Sequence, residues 1–318
     1  MMIQARALTL ERNDRRTVNG VSFEIERGEC VGLLGPFGAG KSSLLKMLGT
    51  LLRPTDGAAR VMGYDLLKQP RQIRAKVGYL DTPSGGYGEM LLTEYLEFFA
   101  RLQGTSSHDR EPAIDRALGL AGLSNRRHDH IETLDRAQFQ QLALVRCTLH
   151  APSVLLLDEP AQGLAPLARE QIKRLIADLR QPQRTVLLTS NILSDLTGLC
   201  RRLLVMSNGR LIESGPTDSM ADKLAPMRPI ELHLRGDPDR AVRTARTHPA
   251  VVHVEWIGDS LVILSDRGRQ PPAGLVAELV ELGVPVERFR EHEVDPGPLV
   301  AEQQGGPKAT PPDPEASG

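Results

Sequence analysis

The residues best suited to chemistry lie in one glycine-rich stretch, LLGPFGAGKSSLL, from Leu33 to Leu45. Within it, Gly35–Ser42 matches the pattern GxxxxGK[ST], preceded by an apolar run and followed by a helical pattern. Glycines in such a loop let successive backbone N–H groups point at phosphate oxygens, and the following helix adds its positive N-terminal end. The stretch therefore predicts a phosphate-binding loop. The predicted phosphate-binding residues are Gly35, Pro36, Phe37, Gly38, Ala39, Gly40, Lys41, Ser42 and Ser43.

A second motif supplies carboxylates. The segment VLLLDEP, Val154–Pro160, places two acidic residues at the end of an apolar run. In the first motif, Lys41 is expected to contact the β- and γ-phosphates, and the Ser42 hydroxyl to bind Mg²⁺. Asp158 is placed to hold the same Mg²⁺ through its water shell, and Glu159 to polarise the attacking water as the catalytic residue. The two motifs together predict a site for MgATP.

The elements that must position these motifs form an α/β pattern over roughly the first 222 residues. Cys30–Gly35 and Val154–Asp158 are short and uniformly apolar, as expected for buried strands of a mostly parallel sheet. Helical patterns lie between them and after them, for example at Ala168–Arg180. Asn208-Gly209 lies between two apolar runs and predicts a tight hairpin turn. The fold class expected is α/β.

The pattern changes near Pro229. Ile230, Leu232 and Leu234 alternate with polar residues at period two, and two further strand patterns meet at Gly258-Asp259. Helical patterns accompany them, so a small α+β module is expected. The last residues have little apolar surface to bury, which is typical of a disordered tail. The predicted division is an ATP-binding domain at residues 1–222, an α+β domain at 229–297 and a tail at 298–318.

Composition narrows the range of functions. Of 318 residues, 39 are Lys or Arg and 40 are Asp or Glu, a balance that gives no indication of a nucleic-acid or membrane-surface partner. Cys30, Cys147 and Cys200 form no CxxC pair, which argues against a zinc site and favours a reducing cytoplasm. The sequence contains no signal-peptide pattern and no run of 18 or more apolar residues. If the protein works at a membrane, another chain must supply the span.

With both motifs in view, the chain resembles the ATP-binding subunit of ABC transporters over roughly residues 2–222. The segments VNGVSFEIERGECVGLLGPFGAGKSSLLKML, LLRPTDGAARVMGYD and LALVRCTLHAPSVLLLDEP carry this resemblance. The C-terminal module more weakly resembles the accessory domain of ABC-2 exporter subunits. The resemblance implies a P-loop NTPase domain with a helical subdomain, ATP and Mg²⁺ as ligands, and a peripheral position at the inner face of the cell membrane. It also implies two kinds of partner, integral membrane permease subunits and a second ATP-binding subunit paired head to tail.

Five positions depart from the family pattern. Arg12 stands where an adenine-stacking aromatic is usual, although a guanidinium plane can also stack on a base. Thr82 replaces the glutamine that senses Mg²⁺ and the membrane partner, and Ala165 replaces an aspartate that contacts the opposite subunit. Asn191 replaces a histidine that touches the γ-phosphate. An amide can donate a hydrogen bond, but it cannot pass a proton as imidazole does.

The fifth departure is in the signature, usually LSGGQ, which reads Leu134–Gln138 here with Asp135 at the serine position. A carboxylate facing the γ-phosphate of the opposite ATP would be a like-charge contact, which Arg136 could partly offset. The alternative is structural: Asp135 caps a helix, and Gln138 completes a capping box. Frequencies of helix-capping residues favour the structural interpretation.

These observations support three hypotheses. The first is a transport subunit that binds MgATP and hydrolyses it weakly, with export as the direction that the ABC-2 resemblance implies. The second is a hydrolysis-deficient regulatory subunit, in which ATP closes a dimer without useful turnover. The third, a soluble ABC ATPase acting on nucleic acid or ribosomes, is disfavoured because the sequence shows no second ATPase unit, long inserted arm or zinc module.

Overall fold

Two compact units divide the chain, Met1–Lys223 and Leu224–Gly318. The computed structural model describes residues 1–12, 15–81, 87–180, 183–224, 227–234, 238–248, 251–257, 260–266 and 272–291. Thr82, the Gly258-Asp259 turn and the expected tail at 298–318 lie outside these ranges. The three domain ranges expected from the sequence remain predictions.

The first unit alternates strands and helices. Its strands are β1 (Ile3–Arg12), β2 (Arg15–Ile25), β3 (Cys30–Leu34), β4 (Asp56–Val61), β5 (Tyr64–Asp65), β6 (Val77–Leu80), β7 (Val154–Leu157), β8 (Thr185–Ser190), β9 (Arg202–Ser207) and β10 (Arg210–Pro216). Its helices are α1 (Lys41–Leu48), α2 (Pro70–Arg74), α3 (Leu92–Leu102), α4 (Ser107–Leu120), α5 (Arg136–Arg146), α6 (Pro166–Leu179) and α7 (Thr217–Leu224), which runs one residue past the unit.

The central sheet positions both predicted motifs. Its strand order is β10-β9-β3-β8-β7-β6, with β9, β3, β8, β7 and β6 parallel and β10 antiparallel at one edge. Every residue of β3 and β7 is buried, as their uniformly apolar sequences predict. Parallel strands end at the same edge of a sheet, where ligands of open α/β sheets bind. The phosphate loop after β3 and the acidic pair after β7 therefore come together, with β8 between them.

A second, antiparallel sheet of order β2-β1-β4-β5 packs on the core around α1. Buried side chains alternate along β1 with an irregularity at Arg6 and Ala7, so that Ile3 before it and Leu8 and Leu10 after it all enter the core. The hairpin predicted at Asn208-Gly209 is confirmed. Ser207 pairs with Arg210 across it, and the two turn residues have φ of 46° and 78°, as a type I′ turn requires.

The second unit is an α+β module with its own core. It contains β11 (Met227–Leu234), α8 (Pro238–Arg246), β12 (Val251–Ile257), β13 (Ser260–Asp266), α9 (Pro272–Glu281) and β14 (Val286–Glu291). The strands form one antiparallel sheet in the order β12-β13-β11-β14. Ile230 and Leu232 of β11 pack in its core with Leu275 and Leu279 of α9, as the period-two and helical patterns predict. Over the described residues, no helix has the length and apolarity needed to cross a bilayer.

Candidate functional site

The phosphate loop has the conformation that its sequence predicts. β3 ends at Leu34, the loop follows, and α1 begins at Lys41. Gly40 has φ of 100°, in the left-handed region, and a Cβ there would collide with the carbonyl oxygen of Thr17. Glycine is therefore required for the backbone to turn directly into the helix. A cleft of about 260 Å³ lies over the loop, and its lining comprises Thr17, Phe37, Gly38, Ala39, Gly40, Lys41, Ser42, Ser43, Asp158, Glu159 and Gln162.

Lys41 joins the two predicted motifs. Its side chain is only 5% exposed, and Nζ donates to the carbonyl oxygens of Gly35 at 2.6 Å and Pro36 at 3.1 Å. The same ammonium forms an ion pair with Glu159 Oε1 at 3.0 Å. The cation is thus held at the loop by carbonyl groups and a carboxylate, oxygen ligands that phosphate oxygens can replace.

The predicted Mg²⁺ ligands are adjacent. Ser42 Oγ donates to Asp158 Oδ1 at 2.9 Å. Thr189, at the end of β8, donates from Oγ1 to the same oxygen at 2.8 Å and accepts from the Glu159 backbone N–H at 2.8 Å. A hydroxyl and a carboxylate are hard oxygen ligands, which Mg²⁺ prefers, so these residues fit that ion. Sequence analysis missed Thr189 because its role depends on β8 lying beside β7, and no local motif marks it.

The surroundings of Glu159 change the pKa of its carboxylate. Its side chain is 9% exposed, and burial raises its pKa while the nearby Lys41 ammonium opposes that rise. The Asn191 backbone N–H donates to Glu159 Oε2 at 3.3 Å. Glu159 has φ of 46°, a conformation that costs a non-glycine residue about 1–3 kcal/mol and is enriched at functional sites. A raised pKa suits a general base, because it strengthens the affinity of the carboxylate for a proton.

Asp135 caps a helix, as the structural alternative predicts. Asp135 Oδ1 accepts the Gln138 backbone N–H at 2.8 Å, and Gln138 Oε1 accepts the Asp135 N–H at 3.1 Å. Arg126 Nη1 donates to the same Gln138 oxygen at 2.7 Å. The neighbouring Arg136 donates to the Gln162 carbonyl at 3.4 Å, which links the start of α5 to a residue that lines the cleft. Gln162 and Thr17 are the two lining residues of the cleft that sequence analysis missed.

The remaining departures from the family pattern lie on several different elements of the fold. Asn191 follows β8 and contacts Glu159 through its backbone. Ala165 immediately precedes α6, whose first residue is Pro166. Arg12 is the last residue of β1, its side chain is exposed, and it is not one of the residues that line the cleft. Thr17 of the neighbouring β2 is one of them. Thr82 is not among the described residues.

Comparisons with known proteins agree with this geometry. The family model described as "ABC transporter" matches residues 18–162. The chain is 32% identical over 209 residues to the ABC transporter ATP-binding protein NatA of Bacillus subtilis (strain 168), covering 64% of this chain and 84% of that protein. The chain belongs to the ABC transporter family. It is also 33% identical over 275 residues to the Nod factor export ATP-binding protein I of Neorhizobium galegae, covering 86% of this chain and 78% of that protein.

Solved structures show the same fold. A structure described as the ATP binding subunit of an ABC transporter matches with a TM-score of 0.63 and 26% identity, covering 70% of this chain and 93% of that one. The dimeric ATP-binding cassette MJ0796 bound to ADP and Pi matches with a TM-score of 0.61 and 21% identity, covering 68% and 99%. The first unit is therefore a P-loop ATPase domain of the ABC type, and the chain is an ATP-binding subunit of an ABC transporter. The α/β fold class predicted from the sequence is confirmed.

Proposed function

We propose that this ABC subunit binds MgATP in the cleft over the phosphate loop and couples nucleotide-driven dimer closure to transport by separate membrane subunits. One observation carries the proposal: the Lys41 ammonium pairs with the Glu159 carboxylate at 3.0 Å, the Ser42 hydroxyl donates to the Asp158 carboxylate at 2.9 Å, and all four residues line one cleft. Each has the chemistry that a triphosphate, its metal ion or an attacking water requires. The name of the Neorhizobium relative favours export as the direction of transport.

The loop, Lys41, Glu159, Ser42 and Asp158 have separate roles in this proposal. Backbone N–H groups of the loop and the start of α1 bind phosphate oxygens. A phosphate oxygen that takes over the Lys41 ammonium removes the counter-charge of Glu159, so the pKa of that buried carboxylate rises further. Glu159 then accepts a proton more readily from a water aligned for attack. Ser42 and Asp158 would hold Mg²⁺, which supplies positive charge against the charge that develops on the phosphates.

Hydrolysis is expected to be weak. The Asp135 carboxylate is committed to a helix cap where the family usually has serine, and Asn191 cannot pass a proton. In a head-to-tail dimer with a standard partner, each composite site would carry one of these changes, whereas in a homodimer each site would carry both. Loss of a single transition-state hydrogen bond lowers the turnover rate by roughly 100-fold. The partners proposed are integral membrane permease subunits and a second ATP-binding subunit at the inner face of the cell membrane, with no nucleic acid.

A hydrolysis-deficient regulatory subunit is the second candidate, favoured by the same commitment of Asp135 to helix capping. The two candidates predict equal ATP binding and differ in turnover and in transport. Transport measured in vesicles that contain the permease subunits, with this chain present or omitted, separates them.

The binding step is tested by calorimetric titration of the purified chain with ATP, with and without Mg²⁺. We expect saturable binding that Mg²⁺ strengthens, loss of binding in Lys41→Ala, and loss of the Mg²⁺ effect in Ser42→Ala. Lys68→Ala is the matched control, since Lys68 is an exposed lysine that does not line the cleft, and its removal should leave the affinity unchanged. Equal affinity in wild type and Lys41→Ala would contradict the proposed site.

A further inference from the structure

Two cysteines that are 170 residues apart in sequence meet inside the first unit. Cys30 is the first residue of β3, and Cys200 lies two residues before β9. Both are buried, and their sulfur atoms are 3.7 Å apart. Their separation in sequence gave no indication of this contact, because it arises only when β9 pairs with β3.

The backbone at this point is already in register for a crosslink. Val31 pairs with Arg202 in the parallel sheet, and the Arg201 N–H donates to the Cys30 carbonyl at 3.3 Å. Cys200 is the next residue toward the N-terminus. A disulfide has a sulfur–sulfur bond of about 2.0 Å, so the two sulfur atoms need to approach by roughly 1.7 Å. That movement is small between strands that are hydrogen-bonded neighbours.

The surroundings of the two thiols shift their pKa values in opposite directions. The hydrogen bond with Cys200 and the positive charge of Arg180 lower the pKa of Cys30, against burial and the Glu29 carboxylate. The same hydrogen bond and burial raise the pKa of Cys200 well above its usual value, against Arg180 and Lys173. Cys30 and not Cys200 is among the residues that line an open cleft beside the pair, so Cys30 is the sulfur that an oxidant meets first, and Cys200 is the resolving one.

Cys30 also has a route to solvent. It forms part of the wall of an open cleft of about 640 Å³, which Arg180, Arg201 and Arg202 line as well. Arg202 is held by Glu29 through bonds of 2.7 and 3.0 Å, and Arg180 donates to the Leu199 carbonyl at 2.8 Å. Arg202 and Arg180 are therefore held in place at this cleft, which Glu24, Glu26 and Glu29 line as well. A small neutral oxidant can enter such a cleft, and nearby positive charge favours the thiolate.

We propose that Cys30 and Cys200 form a dithiol that hydrogen peroxide oxidises to a disulfide. The Cys30 thiolate attacks one peroxide oxygen, the O–O bond breaks, and the leaving hydroxide takes a proton to become water, which leaves a sulfenic acid on Cys30. The Cys200 sulfur then attacks the Cys30 sulfur and the S–O bond breaks. The thiol proton leaves with the hydroxide as a second water. Two thiols lose two hydrogens in total, and one peroxide is reduced to two waters.

Cys147 provides an internal control. It is buried where α5 ends, and its Sγ donates to the carbonyl oxygens of Tyr79 of β6 at 3.1 Å and Ala143 of α5 at 3.2 Å. Burial raises its pKa, and among the described residues neither Cys30 nor Cys200 contacts it. Cys147 is therefore expected to stay reduced while the pair reacts.

The test exposes the full-length folded chain to hydrogen peroxide, alkylates the remaining thiols after unfolding, and identifies the products by peptide mass spectrometry. The expected product is a crosslinked peptide pair that joins Cys30 to Cys200 and is two hydrogens lighter than the two reduced peptides together. Dithiothreitol should convert it back to the two reduced peptides. Cys147 should be alkylated, and Cys147→Ser should form the same crosslink at the wild-type rate. In Cys200→Ser, oxidation should stop at a Cys30 sulfenic acid that dimedone traps.

Three outcomes would overturn the proposal. In the first, all three cysteines of wild type remain alkylatable after peroxide treatment. In the second, Cys147 oxidises as fast as Cys30. In the third, Cys30→Ser leaves Cys200 as reactive toward peroxide as in wild type. The main measurement uses the wild-type chain, so it does not depend on whether a serine variant folds.

Discussion

Replacement of Asp135 by alanine tests the helix-capping role at the degenerate signature. The Asp135 carboxylate accepts the Gln138 backbone N–H at 2.8 Å, and this bond is lost in Asp135→Ala. The reciprocal bond uses the backbone N–H of residue 135 and can persist, because Arg126 also holds the Gln138 side chain at 2.7 Å. Asp135 is exposed, so no cavity forms. The expected loss is one capping interaction, about 1 kcal/mol within a usual range of ~0.5–2 kcal/mol.

Asp135→Asn is the matched variant, because asparagine caps helices about as well as aspartate does. It removes the negative charge and keeps an acceptor for the Gln138 N–H. Its free energy of unfolding should stay within a few tenths of a kcal/mol of wild type. Under the proposed function, the same variant removes the carboxylate that would face the γ-phosphate of the opposite ATP. Its hydrolysis rate should therefore rise while its stability does not change.

Hydrogen exchange at the start of α5 is the most direct assay, because the lost bond is local. A loss of about 1 kcal/mol corresponds to roughly fivefold faster exchange of the Gln138 amide in Asp135→Ala. Asp135→Asn should exchange at the wild-type rate. Equal exchange in wild type and Asp135→Ala, or equal acceleration in both variants, would refute the assigned capping role.

Four further predictions follow from buried polar groups and from the site. Among the described residues the buried Tyr79 hydroxyl has no hydrogen-bond partner, so Tyr79→Phe should raise the free energy of unfolding by about 1 kcal/mol in urea denaturation. Tyr95→Phe should lower it, because the Tyr95 hydroxyl accepts from Arg146 at 2.9 Å. Asn191→His should raise steady-state ATP hydrolysis by about 10- to 100-fold, and no increase would show that this position does not limit turnover. Burial lowers the pKa of His150, so the folded state binds fewer protons than the unfolded state, and stability falls as pH drops below about 6.5. His150→Gln should flatten that part of the pH dependence of the urea midpoint, and an unchanged slope would count against the assignment.

The phosphate loop, the acidic pair and the helix cap were predictable because each depends on residues close in sequence. The spacing of glycines before Lys41 fixes a local backbone path, and Asp135 with Gln138 satisfies the first turn of α5 without help from distant segments. The uniformly apolar sequence of β3 likewise reveals a strand buried on both faces.

Contacts between distant segments were not predictable in this way. Thr189 orders Asp158 and Glu159 because β8 lies between β3 and β7, and no pattern in the sequence states that strand order. The contact of Cys30 with Cys200 has the same origin in the pairing of β3 with β9. Single-sequence patterns specify elements and motifs, whereas the neighbours of each strand depend on the topology of the whole sheet.

The measurement that tests the central claim most directly is the steady-state rate of MgATP hydrolysis by the purified chain at saturating ATP, beside Glu159→Gln. Glu159→Gln keeps the size of the side chain but removes the base, so it defines the rate without water activation. The proposed function predicts saturable MgATP binding by wild type and a slow turnover that is nevertheless faster than that of Glu159→Gln. Turnover no faster than in Glu159→Gln would instead favour the hydrolysis-deficient regulatory subunit. Turnover of about 1 per second or faster, in the range typical of working enzymes, would contradict the proposed weak hydrolysis. The substitutions at Asp135 and Asn191 would then be tolerated replacements in an active transport ATPase.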